Sequence, residues 1–370
     1  MSERRPATRV VHAGLRPARN GEPFLPGPAF AAPFHLAGEG SPAGYSRYGN
    51  PTWAGLEAAL GELEGGTSVA FASGMAAITA VLFGLVPPDG VLVMPSDGYM
   101  TVRPLAREQL APRGVTVREV PTDSDAILAA VDGASLVLVE TPSNPGLDVC
   151  DIAAVAAAAR EAEAIVAVDN SLPGPLGQQP LALGADVVVT SGTKILSGHG
   201  DLLLGVVTCA SREHAERLTW WRSHAGSVPG PMEAWLAHRS LPTLDVRGER
   251  ACANALALAE MLAGRDDVVS VRYPGLVTDP AHGIASRQMR AFGPVLCFDP
   301  GSASRAQAVL AACEIVIEAT SFGAVYSTAE RRARWAGDDI SEGLIRLSAG
   351  CEDTGDLVAD VAAALDATAS

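Results

Sequence analysis

The sequence predicts an α/β protein: a mostly parallel sheet with helices on both faces, followed by a smaller α+β domain. Two observations predict it. Between about residues 53 and 210, six short β-branched runs bounded by Gly, Pro or Asp alternate with stretches of helical length, the pattern of repeated strand–helix–strand units. The chain of 370 residues also exceeds what one ordinary core holds, since domains usually run to about 100–200 residues.

The elements follow in order. Residues 1–50 are rich in Gly and Pro, over 21–33 and again over 38–44, and lack periodicity, so they are expected to form an extended arm. Buried strands are predicted at 68–72, 91–94, 115–120, 135–140, 164–169 and 186–191, and helices at 75–85, 102–110, 124–131 and 152–162, within a large domain spanning 51–243. Helices near 233–238 and 247–262 lead into a small domain spanning 244–370. Strands near 268–273 and 295–298 and a final helix over 354–365 complete it. A sheet of this kind offers ligands the carboxyl ends of its strands.

Composition narrows the function. With 27 basic against 42 acidic residues the net charge is −15, and no basic tract exists to track a phosphate backbone, which argues against nucleic acid. The longest apolar run, residues 152–159, falls far short of the roughly 20 residues needed to cross a bilayer. The N-terminus has no apolar export segment, so a cytoplasmic protein is expected. Six dispersed cysteines form none of the close pairs of zinc or redox sites and read as buried small hydrophobes. The seven histidines show no metal-ligand spacing either, and no metal is expected.

One count is more informative than these. The chain has 26 arginines and a single lysine, Lys194. Guanidinium stays protonated at ordinary pH, whereas a primary amine can lose its proton and condense with a carbonyl. Where arginine replaces lysine almost everywhere, the one surviving lysine is the first residue to suspect of chemistry.

Its surroundings fit that suspicion. The predicted strand before residue 73 leads into Ser73-Gly74-Met75 at a helix start, where free amides suit a phosphate. A second strand leads to Tyr99. A third ends in Asp169, a carboxylate that needs a cationic partner at a buried strand tip. A fourth runs into Ser191-Gly192-Thr193-Lys194. Together these fit an aromatic aldehyde bearing a phosphate and a ring nitrogen: the amine captures the carbonyl, the helix start with Ser191 and Thr193 holds the phosphate, Tyr99 stacks on the ring, and Asp169 keeps the ring nitrogen protonated. Pyridoxal phosphate is the implied cofactor.

Six blocks in order resemble the cystathionine γ-lyase and γ-synthase family of pyridoxal-phosphate enzymes, the Cys/Met metabolism family: Tyr45-Ser46-Arg47 with Asn50-Pro51-Thr52; Ser73-Gly74-Met75-Ala76-Ala77; Glu140-Thr141-Pro142-Ser143-Asn144-Pro145; Val168-Asp169-Asn170; Ser191-Gly192-Thr193-Lys194 with Ser197-Gly198-His199; and Ile345-Arg346-Leu347-Ser348 with Gly350 and Glu352. The resemblance implies fold type I, with a seven-stranded sheet in the large domain. It implies that Lys194 holds the cofactor and shuttles protons, that Asp169 faces the pyridine nitrogen, that Asn144 lies near the ring hydroxyl, and that Gly74, Met75, Ser191 and Thr193 cradle the phosphate. Tyr45 and Arg47 would reach the phosphate site of a neighbouring subunit, with the arm clasping that subunit, in a homotetramer built of two dimers. Arg346 would bind the substrate α-carboxylate through a bidentate fork, helped by Ser321.

Departures from the family pattern bear on the substrate. Thr320 stands where γ-acting members often carry Glu, and Met100-Thr101 follow Tyr99 where the family commonly has Gly and another residue. Arg103 is open as a contact for a distal carboxylate, His199 is read as structural, and Arg331, Arg332 and Arg334 are read as a solvated face that could edge the pocket mouth. The expected activity is γ-elimination at a carbon–sulfur bond, most like cystathionine γ-lyase, with γ-replacement of the cystathionine γ-synthase or O-acylhomoserine sulfhydrylase kind, or elimination on a specialised amino acid, as alternatives. The spacing Ser191-x-x-Lys194 also occurs in serine acyl-transfer enzymes, but those need a Lys-Thr-Gly segment, which a chain with one lysine cannot supply.

Overall fold

The computed structural model describes residues 4–15, 17, 19–36, 44–335 and 339–369. Seven strands, β1 (Thr67–Phe71), β2 (Val91–Pro95), β3 (Thr116–Val120), β4 (Leu136–Glu140), β5 (Ile165–Asp169), β6 (Val187–Ser191) and β7 (Gly205–Cys209), form one sheet in the order β1-β7-β6-β5-β4-β2-β3. The pairs among β2 to β6 are parallel, and β7 is antiparallel to both β1 and β6.

Alternation along the strands divides the core between two faces. Leu136 and Leu138 pack with Ala77 and Leu82 of the Gly74–Leu85 helix. Val137 and Val139, pointing the other way, pack with Ile152 and Val155 of the Ile152–Glu161 helix. Each fully buried Leu or Val contributes roughly 1.5–3 kcal/mol, enough to lock strand register and so to hold the strand ends in place. The six predicted strands lie within a residue or so of those observed.

The second sheet contains β8 (Ser270–Arg272), β9 (Val295–Asp299), β10 (Ile317–Glu318), β11 (Thr328–Arg331) and β12 (Ile345–Ser348), in the order β10-β11-β12-β9-β8. It is antiparallel except for β10 with β11. The Leu244–Ala263 and Thr354–Ala367 helices cover it through Leu258, Leu262, Leu357 and Val361.

Several expectations need correction. The single helix expected over 102–110 is a short α-helix, Val102–Leu105, that widens into a π-helical turn over Ala106–Leu110. Pro112 explains the loosening, because its ring clashes with the carbonyl four residues earlier. Two further helices, Pro51–Glu64 and Arg212–Ala225, stand where no helix was expected. The arm is not wholly extended: Pro6–His12 is helical, and its Val10 is buried against Trp53 and Leu56 of the same chain. Residues 37–43 of the predicted arm lie outside the described residues. Among the described residues no helix is long and apolar enough to cross a membrane.

Candidate active site

Three strand ends converge. β4 ends at Glu140 and β5 at Asp169, which are direct neighbours in parallel register. β6 ends at Ser191, and the chain turns there so that Lys194 N bonds back to Ser191 O at 3.1 Å. Ser73 caps the Gly74–Leu85 helix by accepting from Ala76 N at 3.1 Å, leaving the first amides of that helix without a carbonyl inside it to bond. A cavity of about 550 Å³ opens at this edge. It is lined by Ser73, Gly74 and Met75, by Tyr99 and Asn144, by Asp169, and by Ser191, Thr193 and Lys194.

The far wall comes from the second sheet. Thr320, Ser321 and Phe322 line it, together with Arg346 from β12. Ser321 has a left-handed backbone with φ 76°, an uncommon state for a residue with a Cβ and one that collects at functional sites. Its Oγ accepts from Lys194 Nζ at 2.7 Å, and its carbonyl accepts from Arg346 Nη2 at 3.0 Å. Gly323 lets this loop lie against the lysine backbone, since a Cβ there would sit 2.5 Å from Ile195 N. The Phe322 ring lies 4.9 Å from Lys194 Nζ and 5.3 Å from Arg346 Cζ, so it faces both cations.

The electrostatics set protonation. Burial and the neighbouring Arg346 push the Lys194 amine down to about 8, against the pull of Asp169 and Glu330. Burial pushes the Asp169 carboxyl up, while the hydroxyl and amide of Ser171 and the charge of Lys194 pull it down. Burial and the adjacent Asp169 hold Glu140 well above the usual carboxylate range, although it accepts from Tyr99 N at 2.6 Å. Glu140 thus moors the Tyr99 loop beside the Asp169 carboxylate.

The arrangement departs from expectation at the substrate end. Arg346 is buried, with Nη1 donating to Asn144 Oδ1 at 2.7 Å and Nη2 donating to Glu330 Oε1 at 2.6 Å. Each Nη nitrogen is therefore already engaged within the chain, while a second Nη1 hydrogen and the Nε hydrogen make none of these bonds. Arg332, read from sequence as part of a solvated face, is buried, pairs with Glu330 at 2.9 Å and lines the cavity. Arg331 and Arg334 instead pair with Glu342 and Glu318. Sequence reasoning gave no role to Glu140, Glu330, Phe322 or Trp335. The available signals were Glu140 opening its motif and Glu330 standing two residues from Arg332 beside a predicted cationic cluster.

Tyr45 and Arg47 lie outside this cavity. Tyr45 is exposed, and Arg47 donates to Ser223 O at 2.8 Å and stacks over Tyr48 at 4.6 Å. Arg103 donates to the Ser96 carbonyl. His199 Nδ1 bonds Ser197 O at 2.6 Å, the structural role expected of it.

The residues fit pyridoxal phosphate on structural grounds. A Cβ at Gly74 would come within 3.0 Å of the Cβ and Oγ of Ser191, so only glycine leaves this cradle open between helix start and strand end. The cavity adds hydroxyl donors, an amine of lowered pKa and an acid facing it, the donor set that a phosphorylated pyridine aldehyde requires.

Fold and site together describe a cavity at a sheet edge whose residues, Lys194 among them, suit a carbonyl cofactor. The chain belongs to the Cys/Met metabolism PLP-dependent enzyme family, whose model matches residues 27–366. It is 52% identical to a Streptomyces coelicolor protein provisionally named a cystathionine gamma-lyase, over 98% of this chain and 93% of that one. It is 40% identical to the cystathionine gamma-synthase of Mycobacterium tuberculosis, over 97% and 96%. The cystathionine gamma-synthase of Xanthomonas oryzae, solved in complex with cystathionine, superposes with a TM-score of 0.94 at 35% identity, covering 98% of each chain.

Proposed function

We propose that the protein catalyses γ-elimination on a γ-substituted L-amino acid, with cystathionine the nearest case, releasing a 2-oxo acid, ammonia and the leaving group. The carrying observation is that the Lys194 amine is hydrogen-bonded to Ser321 beside Arg346, in the same cavity as Asp169.

When bound, pyridoxal phosphate supplies a protonated heterocycle that draws electrons from the carbon beside an amino nitrogen. The chain's residues do the rest. Gly74, Met75, Ser191 and Thr193 would hold the phosphate, and Tyr99 would cover the ring. Asp169 would present its carboxylate to the ring nitrogen. Asn144, Arg346 and the Ser321 segment hold the substrate α-carboxylate, with Thr320 at the edge of that site. Lys194, its pKa lowered to about 8 by burial, takes a proton from Cα near neutral pH and delivers it to a neighbouring carbon. Tyr99 assists departure of the γ-substituent.

A second reading, γ-replacement by an incoming thiol, is supported by the identity to cystathionine gamma-synthases. The same residues serve both, the difference being whether water or a thiol reaches the activated chain. We take the working form to be a cytoplasmic homotetramer of two dimers, in which Tyr45 and Arg47 complete a neighbouring subunit's phosphate site. The arm (1–50), cofactor domain (51–243) and small domain (244–370) are its parts. Exposed Tyr45 and Tyr48 beside Arg47 support this reading.

A panel of cystathionine, homocysteine, O-acylated homoserines, methionine and γ-halogenated amino acids, read by 2-oxo acid and ammonia release, tests the assignment. Fastest 2-oxobutyrate production from cystathionine is expected. Formation of a thioether amino acid from the substrate and an added thiol, without 2-oxo acid or ammonia, would establish replacement instead.

A further inference from the structure

Glu330 is 1% exposed and pairs with Arg346 and Arg332, both of which line the cavity. Its Oε1 accepts from Arg346 Nη2 at 2.6 Å, Arg332 Nη1 at 2.9 Å and Thr320 Oγ1 at 3.3 Å, and its Oε2 accepts from Trp335 Nε1 at 2.9 Å. Four donors match the roughly four acceptor sites of a carboxylate. Burial would push Glu330 up, but Arg346, Trp335 and Arg332 outweigh it and leave the carboxyl below the usual range.

The sheet builds this pairing. Glu330 on β11 and Arg346 on β12 are direct antiparallel partners, so the carboxylate meets the guanidinium from a fixed backbone position. Asn144 takes Nη1 and the Ser321 carbonyl shares Nη2, which leaves the guanidinium no freedom to rotate. Thr320 belongs to the loop that touches Lys194, and both Thr320 and Trp335 line the cavity. One carboxylate therefore joins two cavity-lining side chains, Thr320 and Trp335, to the arginine.

We propose that Glu330 is the positioning residue of the α-carboxylate site: it fixes the plane and depth of the Arg346 guanidinium and ties the Thr320 and Trp335 walls to it, so that an L-α-amino acid meets a preset donor group. This rests on the reading of Arg346 given under Proposed function. A structural role alone, in which the buried Arg332–Glu330–Arg346 triad merely holds the sheet, makes a different forecast.

The experiment uses the cofactor-loaded protein and two dead-end competitors that differ only at the carboxylate, L-norvaline and L-norvalinamide. With Glu330→Gln, KM for the best γ-substituted substrate is expected to rise at least about tenfold while kcat changes less than about threefold. The preference for norvaline over norvalinamide is expected to fall by a similar factor, with cofactor absorbance unchanged and Glu330→Asp recovering part of the loss. Removing one partner of a buried pair leaves the other charge uncompensated, so Trp335→Phe, which keeps the carboxylate and removes one donor, is measured alongside. It is expected to raise KM about threefold at constant kcat, and this variant decides the matter if Glu330→Gln does not fold. An unchanged norvaline preference in folded Glu330→Gln, or unchanged KM in Trp335→Phe, overturns the proposal. Failure of the wild-type protein to turn over any γ-substituted amino acid would instead overturn the functional reading, because the competitor ratio needs no leaving group.

Discussion

Lys194 shares a cavity with Asp169, and its amine gives up its proton more readily than an ordinary lysine. Burial disfavours the ammonium form and lowers its pKa to about 8, while the nearby Asp169 limits the fall. Only the neutral amine attacks a carbonyl. Capture of added pyridoxal phosphate by the cofactor-free protein is therefore expected to be half-maximal near pH 8 and to fall about tenfold per unit below it; a midpoint near that of an ordinary lysine, above pH 10, would contradict the burial argument. Lys194 was legible because composition isolates it. Asp169 was legible because an acid at the tip of a buried strand demands a partner. Glu330 was not, since its significance depends on strand register between β11 and β12, and no local pattern encodes which residue of one strand faces Arg346 on the next.

At the scale of elements, short strands bounded by turn residues were readable to within a residue or so because buried parallel strands need unbroken β-branched runs. The Pro51–Glu64 helix was missed, although Asn50 caps it by accepting from Thr52 N at 2.9 Å and Gly65 ends it with φ 84°. Its Trp53, Leu56, Leu60 and Leu63 do share one buried face, so the signal was present in the spacing and went unread. That helix also carries a testable liability. Glu64 is buried, its Oε2 has no hydrogen-bond partner, and burial pushes its pKa up to about 8. The folded chain then keeps a proton that the unfolded chain loses near pH 4.5, so stability falls as pH rises from about 4.5 to 8 and levels off above. Glu64→Gln removes the titration. Thermal unfolding at pH 8.5 is expected to show the variant more stable by a few kcal/mol, with the two proteins converging near pH 4; equal melting temperatures at both pH values would refute this.

Across the whole molecule, the site is assembled from two sheets. The first sheet and the turns at its strand ends supply Lys194, Asp169, Ser191 and Ser73, and the second sheet supplies Arg346, with the loop before β11 lining the cavity beside it. Chain length and the strands expected beyond residue 244 point to a second domain. That β7 enters the first sheet antiparallel, between β1 and β6, is not legible, since a Leu-rich run ahead of Gly205 reads equally as helix or strand. The proposed sharing of Tyr45 and Arg47 between subunits makes its own forecast. Mixed and reassociated, the inactive variants Lys194→Ala and Arg47→Ala should recover about a quarter of wild-type activity, because random pairing restores one intact site in half of the dimers. No recovery despite demonstrated mixing would mean that each chain completes its own site. The central claim, that Lys194 carries the cofactor opposite Asp169, is tested most directly by reducing the loaded protein with borohydride and mapping the mass increment by peptide analysis. The account predicts loss of the near-visible absorbance band and a single label on the peptide containing Lys194; a protein that keeps its band, or one labelled elsewhere, would contradict it.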